Sequence, residues 1–123
     1  MLADLLGLWI YSGLVFHGQP INKPNPDLVI YYQFSSERHN TIFYFRQGER
    51  GFCERLAEYK VENKNIVQTN IAANENNADF CDQDPDMQMN RLSITEFEIV
   101  DGKLLLHLPL GEDRLTYVWT KIF

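Results

Sequence analysis

Few side chains in this sequence carry recognisable chemistry. Cys53 and Cys81 form an even count, compatible with one disulfide or with two buried free thiols. Cys81 sits in a polar loop, where a buried thiol is an odd occupant, so a bridge is the favoured reading. It would close a 28-residue loop and contribute about 3–4 kcal/mol in the chain-entropy picture. Asp82-Gln-Asp84-Pro-Asp86 alternates carboxylates like a calcium loop. Such a loop needs Gly at its sixth position and a bidentate acid at its twelfth, where Met87 and Ser93 stand, so it reads as a solvated acidic turn region. His17, His39 and His107 are far apart and lack His-x-x-x-His or Cys-x-x-Cys partners, so no metal site is assigned. His107, among leucines, is a candidate for the barrel interior, the alternative being a satisfied core or surface histidine. Glu96 and Glu98 share a strand face and read as a solvent-facing stripe rather than a catalytic pair. There is neither a Gly-x-Ser-x-Gly turn nor a phosphate-binding Gly loop. No catalytic residue and no cofactor are assigned, and the chain is read as non-enzymatic. Arg46 and Arg55 are the charged residues best placed to face inward or a rim and to meet an anionic group. The alternative for them is two surface arginines.

The elements that must position these residues are extended. Segments 7–16, 28–34, 41–46, 52–61, 65–71, 91–100, 103–108 and 115–122 are rich in β-branched and aromatic residues or alternate in polarity, which predicts about eight strands. Along 52–61, Cys53, Arg55, Ala57, Tyr59 and Val61 share one face. Asp101-Gly102 accepts the positive φ values of a tight hairpin turn, and the other connections are mostly short and polar. Two are long: 17–27, with Pro20, Pro24 and Pro26, and 72–90, rich in Asn and Asp, with room for a helical turn. The only other helical candidate is 2–6. Sequential strands joined by short turns pair with their neighbours, and closing such a meander removes its exposed edges. The expected fold is an all-β, antiparallel up-and-down barrel forming one domain over 1–123, with an open sandwich as the competitor.

Composition sets the limits on partners. The chain has 123 residues, 45% of them hydrophobic and 13% aromatic, enough to bury a core. Its 17 acidic and 11 basic residues give a net charge of −6, which disfavours nucleic acid and anionic membrane surfaces. No apolar run reaches the roughly 18 residues needed to span a bilayer as a helix. The opening stretch lacks a basic flank and is interrupted by Asp4, so it does not read as a signal peptide. A disulfide would nonetheless imply a periplasmic or secreted home, and free thiols a cytoplasmic one.

Gly7-Leu-Trp9, heading the first strand, resembles the Gly-x-Trp signature of lipocalins and related calycin barrels, and 115–121 resembles the last strand of small bacterial lipocalin-like domains. The resemblance implies that Trp9 plugs one end of a barrel beneath a basic residue from near the chain's end, Lys121 or else Arg114. It departs from fatty-acid-binding barrels, which place a helical lid between their first two strands and an inward Arg-x-Tyr pair on the last. Arg114 and Tyr117 fall on opposite faces, so no fatty-acid site is transferred.

Strands one to three are apolar on both faces, more than a single core requires, so the surplus either lines a cavity or forms a partner surface. The leading reading is a small-molecule binder whose interior is formed by Tyr11, Tyr32, Phe34, Tyr44, Arg46, Arg55, Tyr59, His107 and Tyr117, taking an apolar or amphipathic ligand. The alternative is an interaction protein with a filled barrel that binds a protein partner or forms a homodimer.

Overall fold

The computed structural model describes residues 2–123. After one helical turn, α1 (Leu2–Leu5), come β1 (Gly7–Phe16), β2 (Gln19–Ile21), β3 (Leu28–Phe34), β4 (His39–Arg46), β5 (Cys53–Glu62), β6 (Asn65–Ala73), β7 (Leu92–Val100), β8 (Lys103–Leu110) and β9 (Asp113–Lys121). Two 3₁₀ helices, Asp79–Gln83 and Pro85–Met87, lie between β6 and β7. The strands form one sheet in the order β2-β1-β3-β4-β5-β6-β7-β8-β9, and β1 also pairs with β9. Every pairing is antiparallel and the ring closes: this is the expected barrel, with nine strands instead of about eight. The additional strand is β2, folded out of the Pro-rich 17–27 connection by a turn at His17-Gly18, both at positive φ. Asp101-Gly102, at φ 52 and 76, makes the tight β7–β8 turn that the sequence announced. No helix among the described residues is long and apolar enough to cross a membrane.

The two ends of the barrel are built differently. At one end Trp9, Phe34, Tyr59, Ile66, Phe97 and Leu104 fill the interior, and α1 caps it with Leu5, which is fully buried. Trp9 donates its indole N–H to the Leu5 carbonyl at 2.9 Å, and Lys121 Nζ lies 5.4 Å from its ring centroid. Gly7 is the glycine this closure requires: at φ 136 its absent Cβ would collide with the Phe123 carbonyl, which instead accepts from the Leu8 amide at 3.0 Å. Arg114, the other candidate for Trp9, pairs with Glu96 at 3.6 Å on the outer surface.

At the opposite end β1 parts from β3. Gly7–Ile10 pair with β3, whereas Leu14–Phe16 pair with the short β2. A bulge between Tyr11 and Gly13 switches the alternation of β1, so that Trp9, Tyr11 and Leu14 all belong to the buried core.

The Cys53–Cys81 disulfide is present, with a Cα–Cα distance of 5.6 Å. It ties the 3₁₀ segment to the start of β5 and forms a small core with Met87, packed against Ile42, Tyr44 and Ala78. Asn77 reinforces the tie by accepting from the Glu54 amide at 2.8 Å and donating to the Glu54 carbonyl at 3.0 Å.

Candidate functional site

Above the packed end the barrel is hollow. A cavity of about 500 Å³ opens beneath the 3₁₀ segment and the 22–27 connection. Two sorts of strand build its wall. β1, β3, β8 and β9 contribute an apolar side, including Leu14, Ile30, Leu106, Tyr117 and Trp119. β4 to β7 and the 3₁₀ segment contribute a polar side, including Arg55, Gln68, Asn70, Asp84 and Asp86. This division follows the sequence, since inward positions alternate with outward ones: β4 to β6 hold Asn40, Arg55, Gln68 and Asn70 at such positions and β7 holds Ser93 and Thr95, where β1, β8 and β9 hold mainly apolar and aromatic residues.

Arg55 dominates the polar side. It is 1% exposed, and its Nη1 donates to Asn40 Oδ1 at 2.6 Å. Gln68 Oε1 accepts from Asn40 Nδ2 at 2.8 Å and from the Tyr32 hydroxyl at 2.7 Å, so one side-chain oxygen fixes both neighbours of the arginine. The guanidinium carbon sits 5.7 Å from the Tyr32 ring centroid. All of these partners are neutral; among the described residues no carboxylate forms an ion pair with Arg55. Its Nε has no acceptor, and neither does the indole N–H of Trp119.

The carboxylates of the cavity are occupied elsewhere. Asp84 accepts from the Tyr44 hydroxyl and, through Oδ1, from the Asp86 amide at 2.8 Å, capping the second 3₁₀ helix. Asp86 meets Arg91 at 3.5 Å. Burial and the neighbouring Asp84 push the Asp86 carboxyl up, against the opposing pull of Arg91 and Arg55. Burial, with Asp84 beside it, pushes the Tyr44 hydroxyl well above its ordinary range. Asn70 donates to the carbonyls of Asp86 and Gln88 at 2.9 and 2.8 Å, holding the 3₁₀ segment down over the opening.

Of the residues proposed for the interior, Tyr11, Tyr32, Tyr44, Arg46, Arg55 and Tyr117 line the cavity, with Arg46 at the exposed rim. Phe34 and Tyr59 point inward but lie below it, edge-to-face at 5.1 Å in the packed end, where burial and nearby Tyr32 push the Tyr59 hydroxyl up to about 12. His107 requires correction. β8 sends Leu104 and Leu106 inward, so His107 takes the opposite face, where it contacts Thr116 Oγ1 at 2.8 Å and Glu98 Oε1 at 2.9 Å. Gln68, Asn70 and Trp119 were not assigned from sequence. Their inward alternation was the available signal for the first two, but Asn and Gln at such positions read equally well as turn-side polar residues.

A closed ring of sequential antiparallel strands, with a tryptophan plugging one end beside a lysine and a hollow at the other, is an up-and-down barrel with the lipocalin-like architecture that the Gly7-Leu-Trp9 resemblance implied. No family model and no curated protein matches the sequence. A solved structure of a mutant of the fluorescent protein UnaG is similar, at 12% identity and a TM-score of 0.46, over 100% of this chain and 99% of that one. At that distance it lends no weight to the functional reading, which rests on the cavity itself.

Proposed function

We propose that this barrel binds one small amphipathic molecule in the hollow half of its interior. The observation that carries the reading is the cavity of about 500 Å³, within the range of small-molecule sites and walled on one side by apolar and aromatic residues and on the other by polar ones. A barrel that served only as a rigid interaction module would gain stability by filling that volume, because cavities forfeit both transfer and packing energy. The disulfide suits an oxidising compartment, periplasmic or extracellular.

A second reading draws on the outer surface. Leu92 and Ile94 of β7 are 61% and 64% exposed, and Ile94 faces Val67 across the β6 pairing, an apolar strip that would suit self-association.

The first reading is tested with N-phenyl-1-naphthylamine, a neutral dye that brightens in apolar surroundings. Saturable one-to-one binding with quenching of tryptophan emission is the expected result. A dye that never saturates, or that binds only once the protein unfolds, would count against an accessible cavity.

A further inference from the structure

We propose that the ligand is an organic anion and that Arg55 is its anchor, an inference that rests on the binding reading and adds to it the ligand's charge. A guanidinium removed from water is costly unless a counter-charge meets it. Here its partners among the described residues are neutral, the Asn40 side-chain oxygen, the Asn40 backbone carbonyl at 3.5 Å and the Tyr32 ring, and Nε has no acceptor. Arg55 could have been neutralised by Asp84 or Asp86, which line the same cavity, yet one is committed to Tyr44 and the other to Arg91. The Asn40–Gln68–Tyr32 network fixes the arginine's surroundings with neutral groups, and Asp86 acts on it only at a distance, without an ion pair. A carboxylate or sulfonate in the cavity would complete the shell with charge-assisted hydrogen bonds, and its apolar body would lie against Leu106, Tyr117 and Trp119. The site differs from the last-strand Arg-x-Tyr arrangement of fatty-acid-binding barrels, because the cation comes from β5. Long-range electrostatics cannot produce such a preference, since the net charge of −6 repels anions.

The test compares 1-anilinonaphthalene-8-sulfonate with N-phenyl-1-naphthylamine, which share an aromatic frame and differ in the sulfonate. The wild-type protein should bind the sulfonate at least about tenfold more tightly, and Arg55→Gln should abolish that preference while still binding the neutral dye. Arg55→Lys, which keeps the charge, should retain part of it. Arg114→Gln, on the outer surface, makes the same change in net charge and should leave the preference intact. If the wild-type protein binds both dyes equally, or the neutral one better, the anion inference fails and the cavity reading stands. If neither dye binds, both fail. Should Arg55→Gln not fold, the wild-type ratio decides the ligand's charge and Arg55→Lys decides the anchor, an undiminished preference in Arg55→Lys overturning it because Arg46 and Arg91 also line the cavity.

Discussion

The two halves of this barrel are made from the same strands but obey different rules. In the closed half the buried donors have partners: Trp9 donates to Leu5, Tyr59 to the Ser36 carbonyl at 2.7 Å, and the space between is filled by Phe34, Phe97 and Leu104. In the hollow half a buried arginine has no ion-paired carboxylate, two N–H donors lack acceptors and about 500 Å³ is unfilled. Folding alone would eliminate such features, since each one costs stability. Their confinement to one half separates a region selected for holding the ring shut from one organised around something it must receive.

The sharpest way to break that comparison is to damage the closed half. Trp9→Ala removes a large side chain that is 1% exposed, along with its hydrogen bond to Leu5, and should cost about 3–5 kcal/mol. Denaturant melts would show the loss. Because Trp9 does not line the cavity, whatever protein stays folded should bind the neutral dye with unchanged affinity. A matching loss of affinity would mean that the halves are not separable.

The next effect is smaller and falls on the other half. Replacing both cysteines by serine (Cys53→Ser with Cys81→Ser) removes the cross-link and should cost roughly 2–4 kcal/mol. Asn70 still holds the Asp86 and Gln88 carbonyls, and Asn77, just before the 3₁₀ segment, still holds Glu54, so the segment should loosen rather than detach. Dye dissociation should therefore quicken more than stability alone explains, measured by stopped-flow displacement. Unchanged dissociation would show that the segment does not control the opening.

Much of this division was legible in the sequence, and the misses have physical causes. Asp101-Gly102 has a narrow range of local explanations, so the turn could be read directly; Cys81 in a polar loop favoured the bridge over two free thiols, and the plugged end came from the family resemblance of Gly7-Leu-Trp9. Period-two alternation placed Arg55 on the face shared by Cys53, Ala57 and Tyr59, all buried here. The same rule could not assign His107 while the inward face of its leucine run was unknown, since a one-residue slip exchanges the faces. Nor could it show that Phe34 and Tyr59 lie below the hollow, because depth along a barrel depends on the stagger between strands. β2 stayed hidden because three prolines spread over 17–27 mask a pairing of only three residues.

The separation of the halves can be read most directly from the two tryptophans, one in each. In a ¹⁵N-labelled sample the indole N–H groups of Trp9 and Trp119 give two resonances that can be followed while 1-anilinonaphthalene-8-sulfonate is added. Trp119 lines the cavity and its Nε1 has no acceptor, so its signal should shift progressively to saturation. Trp9 is already bonded to Leu5 and lies in the packed end, so its signal should stay in place. Movement of Trp9 with Trp119 unmoved would contradict the assignment of the hollow half as the binding half.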